Sequence, residues 1–237
     1  MPVNMQTIAG NYSRLVAHSA QKQELSAIGW WNRLIKSLFF WKYGLNYALN
    51  FKPFYDNQSQ WLRIANQVAT GVAIQSPFTL YYVTNNDWSS SHSYQFWNKN
   101  FTGAVGMNND ATLKTIYSPS PSGFVEPKTA AFTGFTSTGG NTTNGGQFNV
   151  SGSFNKGWNL YTNGWKTGNI IFFRTLGFRD IYSSSANTWN VGKDGLYWTV
   201  GAANMASGKV FYLCIGGIYT DLEFHRAYGL NCCSVKE

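Results

Sequence analysis

Punctuation constrains this chain more than any other feature. From Pro77 onward glycine, asparagine, serine and proline break it into short apolar stretches, as in GLYWTVGAANMASGKVFYLC at residues 195–214. Brief β-branched and aromatic runs bounded by turn formers read as strands. The candidates are residues 78–83, 168–173, 195–199, 210–215 and 230–235, with Asn85, Asn86 and Asp87 closing the first as a turn. Residues 117–127, YSPSPSGFVEP, carry prolines that fix φ and withhold donors, so this stretch is extended and kinked rather than helical. Residues 136–146, TSTGGNTTNGG, are almost free of apolar side chains and read as a flexible loop.

The first 70 residues follow a different period. Trp31, Leu34, Ile35, Leu38 and Phe39 recur as one apolar helical face, with Arg33 and Lys36 off it. A shorter pattern through Trp61, Ile64, Ala65 and Val68 stops at Gly71, a suitable C-terminal cap. The expectation is an α+β protein: an N-terminal helical segment over 1–76, used for attachment or for homo-oligomer formation, and a β-rich domain over 77–237.

A chain of 237 residues with 43% hydrophobic content is long enough to bury a sizeable core. Its +8 charge raises nucleic acid as a partner, but the 18 basic residues are scattered singly. Phosphate binding needs a clustered footprint, so the charge reads as solvated surface with no nucleic-acid partner. Residues 28–51 are apolar but interrupted by Arg33, Lys36 and Lys42, so no membrane insertion is expected, and residues 1–10 lack the apolar run of a signal peptide. Cys232 and Cys233 are adjacent and point to opposite faces of a strand, which disfavours a ligand cluster. All three cysteines read as small side chains in strands, a disulfide at Cys214 being the alternative.

Candidates for chemistry are thin. His18, His92 and His225 are the only histidines, and neither a nucleophile elbow nor an HExxH motif occurs. Asp221 and Glu223 share a strand face by spacing, with nothing else to mark them as a glycosidase pair. No catalytic residue, metal or cofactor is expected.

Five segments occur in a telling order: KTIYSPSPSGFVEPKTAAFTGFT at 114–136, GSFNKGWNLYTNGWKTGNIIFF at 152–173, GFRD at 177–180, NVGKDGLYW at 190–198 and RAYGLNCCSVKE at 226–237. The series resembles the Fibrobacter succinogenes major paralogous domain of Bacteroidetes surface and phage proteins, over residues 77–237. The resemblance implies a C-type lectin-like fold and a binding role rather than catalysis. Departures include Ser120 where the family has cysteine, Thr199 and Val200 after the Tyr-Trp pair, and Cys232-Cys233 near the end. Gly192, Gly195, Tyr197, Trp198, Arg226, Gly229 and Val235 match the framework, with Arg226 implied to pair with a carboxylate or backbone carbonyls.

Between the framework residues lie aromatics where relatives more often carry Asn or Ser. Tyr182, Trp189, Tyr212, Tyr219, Phe224, His225 and Tyr228 are the implied ligand-binding set, on a face built from residues 181–231. Such a mixture fits adenine-targeted rewriting by a diversity-generating retroelement. Aromatic side chains supply contact area at low entropic cost, as in antibody paratopes. The paired calcium-site motifs of sugar-binding lectins are missing, since Glu126-Pro127-Lys128 puts a cation where an amide ligand would stand, so no calcium requirement is expected.

The implied function is recognition of a protein or glycan receptor, on a host or other cell surface, by an extracellular, cell-surface or virion protein such as a bacteriophage tail component. The alternative is a pilus-tip adhesin with a fixed ligand. A formylglycine-generating-type enzyme is a further alternative, although it needs a cysteine pair in a pocket that Cys232-Cys233 does not readily supply.

Overall fold

The computed structural model describes residues 41–42, 62–75, 79–81, 87–101, 111–140, 142–162, 166–180 and 188–237. Over these residues the protein is mostly β-sheet with few helices. The first elements are β1 (Trp41–Lys42), β2 (Leu62–Ile64), the helix α1 (Thr70–Gln75), β3 (Thr79–Tyr81) and β4 (Phe124–Val125). Two 3-10 turns follow, Thr129–Phe135 and Gly145–Gln147, and then β5 (Val150–Ser151), β6 (Gly157–Tyr161), β7 (Ile170–Arg174), β8 (Phe178–Arg179) and β9 (Thr188–Trp189). The C-terminal run is β10 (Asp194–Ala202), β11 (Ser207–Cys214), β12 (Gly217–His225), β13 (Gly229–Cys232) and β14 (Val235–Lys236).

The largest sheet has the order β12-β11-β10-β13-β8-β9, with β1 also on β13. Alternation along its strands sends side chains to two separate cores. Leu196, Trp198, Val200, Val210 and Leu230 pack with Ala73, Tyr81, Trp88, Phe96 and Trp97. Tyr197, Phe211, Leu213 and Ile218 pack instead with Phe132, Phe148, Leu160 and Phe173. The sheet is covered on both faces, which is why β10 reads as a nearly unbroken apolar run. Phe211 anchors the second core by stacking on Phe132 at 4.2 Å between centroids, and such pairs stabilise beyond their buried area.

Cys232 packs against the first core and Cys233 against the second, the opposite-face placement that adjacency in a strand requires. All three cysteines are free. Burial raises the Cys232 thiol well above its ordinary range and lifts Cys233 to about 11, which favours the protonated thiol of both at neutral pH.

The strands expected over 78–83, 168–173, 195–199 and 210–215 are present as β3, β7, β10 and β11. The run expected over 230–235 is broken in two, because β13 pairs parallel with β10 whereas β14 leaves that sheet to pair with β4. The helix read from Trp61, Ile64, Ala65 and Val68 is corrected. Leu62–Ile64 is a strand paired parallel to β3, and α1 runs through Gly71 instead of ending there. A short apolar pattern does not separate helix from strand, and here the partner strand decides. The stronger pattern at Trp31–Phe39 lies outside the described residues. Residues on both sides of position 76 share structure: β2 pairs with β3, and Ala73 packs in the first core.

The loop at 136–146 is tied down over its described residues. Thr136 bridges to Phe148, Asn144 caps the Gly145–Gln147 turn, and the Thr142 carbonyl accepts from Thr220 Oγ1 at 3.1 Å.

Candidate functional site

The frame beneath the C-terminal strands is built around Arg226, whose side chain is fully buried. Its Nη1 lies 3.3 Å from Asp87 Oδ2 and donates to the Met205 carbonyl at 3.0 Å, and its Nη2 donates to the Ser93 carbonyl at 2.7 Å. The guanidinium also lies over the Phe96 ring, 5.5 Å from its centroid. Asp87 is itself fully buried and its Oδ2 sits 2.7 Å from His92 Nδ1. The implied role of Arg226, pairing with a carboxylate or with carbonyls, is met on both counts. Asp87, read from sequence only as part of a turn, is the carboxylate.

A second buried knot secures the 114–126 motif. Both Glu126 oxygens accept from Ser118 Oγ at 3.0 Å, and Glu126 Oε1 also accepts from the Ser120 amide at 3.0 Å and from Ser120 Oγ at 2.7 Å. Burial raises the Glu126 pKa, and these hydrogen bonds act against the rise. Ser120 pairs with Ser234 at 2.6 Å between hydroxyl oxygens. Lys114 Nζ donates to the carbonyls of Ser120, Pro121 and Phe124 and so closes the proline-rich bend.

Asp221 and Glu223, placed on one strand face by their spacing, both reach Lys209. Its Nζ is 2.8 Å from Asp221 Oδ1 and 3.0 Å from Glu223 Oε1. Burial acts to lower the Lys209 pKa, but the two carboxylates outweigh it and raise the value. The pair works as an ion bridge between β11 and β12.

The expected ligand-binding residues divide into groups. Tyr182 lies outside the described residues. Tyr212 and Tyr219 face each other across β11 and β12 and stack at 5.5 Å, with the Tyr212 hydroxyl donating to Asp194 Oδ1 at 3.1 Å. Burial, Cys214 and Asp194 together push the Tyr212 hydroxyl pKa up, so it stays a donor. Phe224 and Tyr228 pack edge-on at 5.3 Å, and both contact Phe178. His225 stacks on Tyr228 at 6.0 Å, and its burial lowers the imidazole pKa. Tyr228 is only 7% exposed and belongs to the first core, with Tyr212 and Phe224 packed against it.

Trp189 differs from these, with 46% of its surface open. It stands opposite Phe178 on the outer strand β9, so both rings share a face of the sheet. Its backbone is held by close approach: Gly177 has φ +73, and a Cβ there would meet the Trp189 carbonyl oxygen and crowd Val191. Asn190 then turns the chain with φ +54, and its Nδ2 donates to Asp194 Oδ2 at 2.6 Å.

Beside this turn lies a group that sequence reasoning missed. Lys156, Phe172, Arg174 and Lys193 come from three separate segments, and Phe172 is 37% exposed. The run IIFFR looked like any buried strand. Phe172 is exposed because it alternates with Ile171 and Phe173, which turn to the second core, and so points to the other face of β7.

Among the described residues no three His, Cys, Asp or Glu side chains converge as a metal-holding group, and no helix is long and apolar enough to cross a membrane. The chain has no significant match among family models, curated proteins or solved structures.

Proposed function

We propose that this is a ligand-recognition protein: a C-type lectin-like scaffold, carried at a cell or virion surface, that presents an aromatic-rich face to a protein or glycan receptor. Binding rather than catalysis is its task. One contrast supports the reading above all others. The frame residues Arg226, Asp87 and Trp198 are fully buried, while Trp189 leaves 46% of its surface open on a strand whose backbone is held against Gly177. A rigid frame presenting an open indole loses little entropy on binding. At the other end of the strand order, half-buried Tyr219 on β12 and Ile215 in the turn before it, 75% exposed, offer a second accessible apolar patch.

The experiment is to label the protein, measure its attachment to a panel of bacterial cells, and repeat with Trp189→Ala and Tyr219→Ala. Attachment that falls by about tenfold while the melting temperature holds supports the reading, a loss on the scale of a binding hot spot. Attachment equal in both variants would remove this surface from the binding role. Diversification has its own test in the DNA beside the gene. An imperfect copy of codons 181–234, differing only at adenines and lying next to a reverse transcriptase, is the expected finding.

A further inference from the structure

We propose that the ligand is a saccharide carrying anionic groups, bound beside the turn that follows Trp189 by the exposed edge of Phe172 and the cations Arg174, Lys156 and Lys193; the inference rests on the recognition reading above. Gly157 adopts φ +151, and the Phe172 ring lies where its side chain would be, with ring carbons 2.7 and 2.8 Å from the position of a Cβ. Any other residue at 157 would displace the ring. The Arg174 guanidinium carbon is 5.9 Å from the ring centroid. Lys156 precedes Gly157 and holds φ +52, an unusual conformation for a lysine. Its Cγ and Cδ run alongside Gly192, the residue before Lys193, 3.9 Å from where a Cβ would stand.

Backbone bonds fix this arrangement. The Thr175 amide donates to the Lys156 carbonyl at 3.0 Å, and the Gly192 amide donates to the Thr175 carbonyl at 2.7 Å. Among the described residues four non-glycine positions have positive φ, and Lys156 and Asn190 bring two of them to this one neighbourhood. Strained backbone of this kind persists where the surroundings over-determine it and gathers at ligand sites. Lys156 and Lys193 are exposed and Arg174 is half-buried. The nearby carboxylate is Asp194, whose two oxygens accept from Tyr212 and Asn190.

The chemistry selects the ligand class. A partly exposed aromatic ring makes apolar contact with the C–H groups of a sugar ring, while cations nearby favour carboxylate or sulfate substituents. The net charge of +8 draws such polymers from a distance. A nucleic acid would call for a longer line of cations along the phosphates than these three supply.

The test measures binding of the whole protein to polygalacturonate, to its fully methyl-esterified form, to heparin and to a single-stranded DNA oligonucleotide. Binding to polygalacturonate or heparin is expected, with affinity falling about tenfold between about 50 and about 200 mM salt. The esterified polymer is expected to bind at least about tenfold more weakly, as the charge-assisted contacts are lost. The double variant Lys156→Gln/Lys193→Gln and, separately, Phe172→Ala should each lose about tenfold in affinity at unchanged melting temperature. Equal binding of the esterified polymer, tighter binding of DNA than of either acidic polysaccharide, or no binding of either one would overturn the proposal. The two readings fail separately. Cell attachment sensitive to Trp189→Ala without acidic-polysaccharide binding removes this inference alone, and polysaccharide binding without attachment to any cell removes the receptor reading alone.

Discussion

Arg226 with Asp87 and Lys209 with Asp221 and Glu223 are built from the same chemistry and do different work. The first pair is 0% exposed on both sides, whereas the carboxylates of the second leave 35% and 48% of their side chains open. Removing one member of a buried pair strands a charge that water cannot reach, while a half-open pair exchanges its partner for solvent. Arg226 therefore locks the 87–93 stretch to the 205–226 region, whereas Lys209 adjusts the fit of two strands already joined by a ladder.

That contrast is broken most directly by Arg226→Met. It should cost about 3–5 kcal/mol in chemical denaturation, and adding Asp87→Asn should restore part of the loss. Gly177→Ala comes next, at about 1–3 kcal/mol, because it forces a side chain into positive φ against the Trp189 carbonyl; it should also weaken ligand attachment by displacing β9. Lys209→Met is expected to cost no more than about 1 kcal/mol. The Lys209 pKa is raised in the folded state, so its contribution is complete below the ordinary lysine value and disappears as pH rises through the folded one. Melting curves of the wild type and Lys209→Met should converge at alkaline pH.

Glu126 sharpens the comparison from a third side. Its folded pKa is raised, so the folded protein holds a proton that the unfolded chain releases, and stability from this group declines as pH climbs from the ordinary glutamate value through the raised one. The melting temperature of wild type relative to Glu126→Gln should therefore fall over that interval; a difference that instead grows would show the carboxylate to be stabilised in its ionised form. The smallest stability change is expected at Trp189→Ala, whose ring is already half in water.

The contrast also marks how far the residues could be read without the fold. The strands at β7, β10 and β11 were legible because glycine and asparagine bound them and their composition is apolar. The full span of β12 was not, since Asp221 and Glu223 interrupt its apolar pattern; their shared face was legible by spacing, their partner Lys209 was not. Arg226 was legible as frame, but its partner was not, because nothing near Asp87 in sequence points to it. The expected ligand-binding residues are aromatics that sequence alone does not tell apart. The structure separates them, with Tyr228 taken into the core and Trp189 left open.

Local chemistry in the sequence determined the strands β3, β7, β10 and β11 and that Cys232 and Cys233 face apart, because turn propensity and strand alternation act over a few residues. The tertiary structure decided which aromatic rings meet solvent, which carboxylate neutralises Arg226, and that the Lys156 stem lies beside Gly192. Exposure and ion pairing depend on what the rest of the chain places alongside a residue, and that is settled only when the two cores close over the sheet.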